Sequence, residues 1–316
     1  MRVDDEPSNY YDHPVFHPLN LSLDTPMMAS LHDEVTRWIW TGATGGLMYG
    51  TARIGKTTAL SRLSTQLKAR SGQPVPVFYV SVPGRDQKTI TSVLRHLCDS
   101  AKLAYSPRAV SDQLSQMFLH HVMDVTHLAG CASALLIVDE IQRLNAAQFD
   151  VFAEMYDQLR LMDISLTVLF SGNDPECFRV IDKLDSKKHA HIVGRFFLQS
   201  IHFQGLGSAE SVRRCLGQYD TLRFPEDGPT YTEFFLKDDF ERGWRLKSLA
   251  EDLWRVFSEY KKDYKLDSWG MQYFTSAVNA LLADMLPTHG CDSFCDDMMH
   301  ECIRVSGLVP SLVRTQ

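Results

Sequence analysis

The stretch Gly50-Thr51-Ala52-Arg53-Ile54-Gly55-Lys56-Thr57 constrains the fold more than any other feature of this chain. It fits G-x-x-x-x-G-K-[ST], a loop that cradles phosphates when a strand enters it and a helix leaves it. Both flanks are present. "TGGLMYG" reads as a short strand running into the loop, and residues 56–70 place Leu60, Leu63 and Leu67 on one helical face.

The alternation continues downstream. Apolar strands are predicted at residues 74–82, 132–140, 165–173 and within 196–206, with helices over 27–40, 89–101, 110–129 and 149–162. Buried strands alternating with helices imply a parallel sheet covered on both faces. After Leu206 helical periodicity takes over, around Arg213 and over 249–260 and 271–285. The predicted domains are an N-terminal extended arm (1–26), a nucleotide-binding core (27–206), a helical lid (207–305) and a flexible tail (306–316). The arm's aromatics, Tyr10, Tyr11 and Phe16, are expected to pack on this chain or on a neighbour.

If the loop grips a nucleotide, its partners must stand at neighbouring strand ends. Lys56 would reach the β and γ phosphates and Thr57 would give its hydroxyl oxygen to magnesium, with Thr58 beside it. Asp139, near the end of "LLIVDE", suits a magnesium-bound water. Glu140 suits the attacking water's proton, since a general base must sit beside the γ phosphate and not on the metal. Asn173, closing "TVLFSGN", can orient that water from the next strand. Alone, Asn173 reads as a turn residue before Asp174-Pro175, and Asp139-Glu140 equally as a helix N-cap with a first-turn acid. In this order and on these elements, the residues predict a bound nucleotide with magnesium and an activated water at its γ phosphate.

At these residues the chain resembles the AAA+ ATPases, over residues 27–260. Walker A is 50–57, Walker B is 135–140, and Asn173 matches the sensor-one asparagine. The resemblance implies an α/β fold: a parallel-sheet P-loop core, an αβα sandwich, followed by a helical lid domain. It also implies that Arg195, ahead of the last core strand, enters the next subunit's γ phosphate as an arginine finger. "RGWRLKSLAEDLW" is similar to the sensor-two helix, with Arg245 the better candidate for nucleotide contact and Arg242 the second. One residue departs from the pattern: Arg53 stands where many AAA+ loops place an extra glycine before Ile54.

Within AAA+, "VDEIQRLN", "FSGNDPECF" and the core ending "GRFF...F..L" most resemble the TnsC, TniB and MuB group of transposition regulators. The form is especially similar to TnsC of CRISPR-associated transposons. That resemblance implies a homo-oligomeric ring or filament, formed with ATP on duplex DNA in a bacterial cytoplasm. It would link a TniQ-containing target-selection complex to a TnsA/TnsB-like transposase. Two other classes share the Walker set: helicase loaders of the IstB and DnaC type, and STAND signalling ATPases that do not touch DNA.

Composition limits how DNA could be held. Of 316 residues, 44% are hydrophobic and 22% charged, with a net charge of -7. That charge disfavours global attraction to nucleic acid, so any DNA contact must come from a local basic strip. "GRDQKTITSVLRHLCDSAK" supplies Arg85, Lys88, Thr91, Arg95 and Lys102, the last three basic residues spaced by seven and so on one face of a continuous helix. The alternative is an ordinary solvated face, which Asp86 and Asp99 favour. Seven cysteines, scattered and odd in number, imply reduced thiols in a cytoplasm. No apolar run is long enough for a membrane span, and the acidic, proline-broken N-terminus does not read as a signal peptide. His289, Cys291, Cys295, His300 and Cys302 are zinc-ligand types. Their spacing lacks a C-x2-C pair, so three buried thiols and two surface histidines on an amphipathic helix are expected instead.

Overall fold

The computed structural model describes residues 10–17, 21–84, 89–184 and 189–309. They fall into two compact units, one of residues 28–52 and 56–203, the other of 1–27, 53–55 and 204–316.

The first unit is built around a five-stranded sheet. In chain order its elements are α1 (Pro26–Thr41), β1 (Gly45–Gly50), α2 (Lys56–Leu63), β2 (Val77–Ser81), α3 (Ile90–Ser100) and α4 (Ser111–Leu128). Then come β3 (Ser133–Asp139), α5 (Ala146–Leu161), β4 (Ser165–Asn173), α6 (Glu176–Leu184), α7 (Ala190–Phe196) and β5 (Ser200–His202). The strand order is β2-β3-β4-β1-β5, parallel throughout. β3 and β4 are buried almost end to end, which is why they read as continuous apolar runs and not as alternating ones. After β1 the chain crosses β4 and β3 to reach β2 at the edge. That reversal makes the carboxyl ends of β1, β3 and β4 the crevice where such sheets bind ligands. Register sets the details: Gly50 pairs with Asn173, and Ser81 with Asp139.

Three elements depart from the sequence expectations, each for a local reason. The helix predicted over 56–70 stops at Leu63. Ser64 and Thr65 turn their hydroxyls back onto the carbonyls of Ser61 and Arg62, at 2.6 and 3.0 Å, and so compete with the helical ladder. Leu67 stays buried but outside the helix. The strand expected within 196–206 is only Ser200–His202, because Phe196 closes α7 and Phe197 caps it on Val193. The third departure concerns Lys102. Helix α3 ends at Ser100 in a Schellman arrangement: Leu103 N–H donates to Cys98 O (2.9 Å) and Lys102 N–H to Asp99 O (3.0 Å). Lys102 takes the left-handed position with φ 56° and does not extend the helical face of Arg95.

The second unit is helical: α8 (Ala209–Tyr219), α9 (Tyr231–Phe235), α10 (Lys237–Glu241), α11 (Ala250–Asp263), α12 (Met271–Ala280), α13 (Leu286–His289) and α14 (Asp296–Val305). Its core holds Tyr219, Phe257, Trp269 and Phe274, with Phe257 and Trp269 stacked at 4.4 Å. Asp220 ties three segments together, accepting from Thr232 Oγ1 (2.7 Å), Leu246 N (2.9 Å) and Lys247 N (3.2 Å). The arm docks on this unit. Asn279 Nδ2 donates to Val15 O at 2.9 Å, Tyr10 stacks on Phe234, and His13 is buried among Phe224, Tyr231, Phe234 and Phe235, while Tyr11 is exposed. Among the described residues no helix is long and apolar enough to cross a membrane.

Candidate nucleotide site at the strand ends

The loop after β1 bends through two left-handed residues, Arg53 (φ 65°) and Gly55 (φ 98°). Glycine suits the second, since a side chain there would be strained. Arg53 occupies the first without that freedom. Its carbonyl accepts from Gln272 N and its Nη1 donates to Tyr273 Oη, both at 3.2 Å, with the guanidinium 5.7 Å from the Tyr273 ring.

Lys56 opens α2 and is buried. Its ammonium donates to Gly50 O (2.8 Å), Thr51 O (2.7 Å) and Asn173 Oδ1 (2.8 Å). All three acceptors are neutral. Burial therefore holds its pKa below the ordinary lysine value, although Asp139 and Glu140 push the other way. A buried cation whose contacts are all neutral favours an anionic ligand at Nζ. Thr57 and Thr58 are exposed at the start of α2.

Asp139 is buried at the end of β3. Its Oδ2 accepts from Tyr79 Oη (2.9 Å) and Thr57 Oγ1 (3.4 Å), and its Oδ1 from Glu140 N (3.0 Å). Burial beside that carboxylate raises the Tyr79 pKa, which keeps the phenol a donor. The oxygens of Thr57 and Asp139 stand near the spacing of about 3 Å between neighbouring ligands of octahedral magnesium. The chemistry and spacing of these donors thus fit magnesium and a polyphosphate.

Glu140 leaves the strand in a left-handed conformation (φ 66°, ψ 41°) and enters the turn Ile141–Arg143. Its Oε2 accepts from Gln142 Nε2 (2.6 Å) and pairs with Arg143 Nη2 (3.1 Å), while Arg143 Nη1 holds Val82 O (2.7 Å). Asn173 donates its backbone N–H to Gln142 Oε1 at 3.3 Å. Lys56, Thr57, Asp139, Glu140 and Asn173 are thus brought together. Sequence reasoning missed Tyr79, Gln142 and Arg143. Strand pairing supplies the first, and the turn after Glu140 the other two.

The remaining sequence candidates lie elsewhere. Arg195, on α7, is held within its own unit. Its Nη1 reaches Ala153 O and Asp157 Oδ2, both at 3.0 Å, and the guanidinium lies 5.0 Å from the Tyr156 ring. Arg245, in the helical unit, donates to Phe240 O (2.8 Å) and Trp244 O (2.7 Å) over the Phe240 ring, and Arg242 pairs with Asp239. Of the expected basic strip, Arg85 and Lys88 lie outside the described residues. Thr91 Oγ1 is 2.7 Å from Ser111 Oγ, Arg95 Nη2 donates to Pro107 O (3.0 Å), and Lys102 is exposed. Among the described residues no group of three or more His, Cys, Asp or Glu side chains is placed to hold a metal. Of the three thiols expected to be buried, Cys291 and Cys302 are, but Cys295 is exposed because it stands at the N-cap of α14 and not on its buried face; His300 Nδ1 lies 2.8 Å from Tyr260 Oη.

Residues 41–181 match a family model described as an AAA domain. No curated protein matches the chain. Among solved structures, ORC of Drosophila bound to DNA is similar to it at a TM-score of 0.53 and 13% identity, over 89% of this chain and 69% of that one. ORC1 of Aeropyrum pernix in complex with DNA reaches 0.43 at 13% identity, over 92% and 80%. Cdc6p of Pyrobaculum aerophilum reaches 0.44 at 15%, over 93% and 83%. The fold is an AAA+ P-loop fold with a helical C-terminal region. The region that matches the AAA domain carries the loop, the strand-end acids and the asparagine, which stand together at the carboxyl ends of β1, β3 and β4.

Proposed function

We propose that this chain binds magnesium–ATP at the ends of β1, β3 and β4 and hydrolyses it slowly, as an ATP-dependent DNA-binding regulator. One observation carries the catalytic part: an unbroken hydrogen-bonded path from Lys56 through Asn173 and Gln142 to Glu140. The path joins Lys56 and Glu140 in one frame, which supports reading the first as the phosphate-binding cation and the second as the base. When bound, the nucleotide and its cation supply a γ-phosphoryl group whose charge is already partly neutralised. Lys56 Nζ would exchange neutral carbonyl partners for phosphate oxygens. Thr57 and Asp139 would hold the cation, directly or through water, along the loop residues Gly50, Thr51, Ala52, Arg53, Ile54, Gly55 and Thr58. Glu140 would take the proton of the attacking water, and Asn173 would orient it.

Arg195 is proposed to act on a neighbouring subunit's nucleotide, exchanging Asp157 for phosphate, and Arg245 to contact nucleotide from the helical unit. Mixing Arg195→Ala with Glu140→Gln subunits tests the first point. Partial recovery of hydrolysis shows action in trans, because one interface type then pairs an intact arginine with an intact base. Dead mixtures of well-assembled variants show that Arg195 serves only its contact with Asp157.

For the wider role, we propose a TnsC-like regulator of DNA transposition. It forms an oligomer on duplex DNA and links a TniQ-containing target selector to a TnsA/TnsB-like transposase. The motifs quoted above support this reading, as does a fold shared with a DNA-bound ORC structure. Arg85, Lys88, Thr91, Arg95 and Lys102 are the proposed DNA contacts. Electron microscopy with ATP, with and without duplex DNA, tests the role. Rings or filaments on DNA that require ATP support it. Oligomers indifferent to DNA point to a signalling ATPase, and assembly only around a partner ring points to a helicase loader.

A further inference from the structure

We infer that Gln142 is a positioning residue for hydrolysis, its amide locking the Glu140 carboxylate to the end of the Asn173 strand. This rests on the ATPase reading above. The left-handed turn at Glu140 folds the chain back so that residue 142 stands beside residue 140. There the amide donates from Nε2 to Glu140 Oε2 (2.6 Å) and accepts at Oε1 from Asn173 N–H (3.3 Å). An ionised carboxylate only accepts and a peptide N–H only donates. A single neutral side chain joining the two must do both, and that requirement also fixes which end of the amide faces which partner.

The surroundings are shaped to this contact. A Cβ on Gly172 would stand 2.6 Å from Cys177 Cβ and 3.2 Å from Gln142 Oε1, so position 172 stays small where the amide reaches the strand. Asn173 carries the link onward, since its Oδ1 accepts from Lys56 Nζ. Glu140 Oε2 is doubly engaged, by Gln142 and by Arg143, and among the described residues no donor contacts Oε1. Gln142 therefore leaves Oε1 as the carboxylate oxygen open to an attacking water and ties its position to Lys56, the proposed phosphate-binding lysine. Gln142 itself touches neither.

The test compares full-length Gln142→Leu, Gln142→Glu and Glu140→Gln with the parent, measuring ATP affinity, KM and kcat. Gln142→Leu should lower kcat by about 10- to 100-fold, with KM and ATP affinity within about twofold of the parent. Gln142→Glu sets a carboxylate against Glu140 near neutral pH, and protonation restores a donor there. Its kcat relative to the parent should therefore rise as pH falls from about 8 to about 6. Parent-like kcat in both Gln142 variants overturns the inference, as does a loss independent of pH with a matching change in KM. If Gln142→Leu does not fold, the pH profile of Gln142→Glu decides alone. Normal turnover by Glu140→Gln would instead overturn the ATPase reading. An inactive Glu140→Gln beside a parent-like Gln142→Leu overturns only the role of Gln142.

Discussion

The cation at the strand ends and the basic residues around α3 are built differently. At the strand ends Lys56 is buried, and its ammonium is fixed by three acceptors that parallel strand pairing brings together. Around α3 the basic residues share no such frame. Arg95 turns to the Pro107 carbonyl, and Lys102 leaves the helix through a left-handed cap. The difference shows what each kind of pattern can carry. Strand register fixes residues far apart in sequence to within one hydrogen bond. Helical spacing predicts a shared face only as far as the helix runs.

The comparison can be broken most sharply at Lys56. Lys56→Ala should weaken ATP binding by about 100-fold or more, because it removes a buried charge facing phosphate. Calorimetric titration measures this, and retained tight binding would reduce the strand-end cation to a structural contact. A smaller loss is expected at Asn173. Asn173→Ala should cut hydrolysis by about tenfold or more while ATP still binds, as steady-state assays at saturating ATP would show. Unchanged turnover would mean that the asparagine only braces Lys56.

At α3 the two basic residues should part company. Arg95→Ala should cost about 1 kcal/mol of stability, read from thermal or denaturant unfolding, since it removes the bond to the 107 carbonyl. Lys102→Ala should leave stability unchanged. It should lower DNA affinity equally for all sequences, and the slope of log affinity against log salt should shrink by about one unit for each phosphate no longer neutralised. If both variants bind DNA as the parent does at several salt concentrations, DNA is held outside this region.

The smallest effect is expected in the helical unit. Burial among aromatic rings pulls the His13 pKa from 6.5 down to about 4. The unfolded chain takes up the proton first, so stability should fall as pH drops from 6.5 towards 4, then level off for this group. His13→Leu should flatten that part of the pH profile of unfolding. An unchanged profile would assign the pH dependence to other groups.

Much of the core was legible because its signals are local and redundant. Each strand feeding the site is an apolar run that ends in a residue of the candidate site, Gly50, Asp139 or Asn173. Helix ends were less legible. The stop at Leu63 depends on Ser64 and Thr65 choosing nearby carbonyls over the helix, and the stop at Ser100 on Lys102 accepting a conformation usually left to glycine. Tyr79, Gln142 and Arg143 escaped because their roles arise only from folding: cross-strand pairing for Tyr79, a left-handed turn for the other two. The departure at Arg53 was visible in the sequence. Its partner Tyr273, 220 residues away, was not.

The central claim is that three strand ends form one magnesium–ATP site with Glu140 as its base. Binding and turnover of magnesium–ATP by Glu140→Gln beside the parent test it most directly. The account predicts that the variant binds ATP as tightly as the parent and hydrolyses it about 100-fold more slowly or worse, because the substitution keeps size and removes the base. Equal turnover by both proteins, or no ATP binding by either, would contradict it.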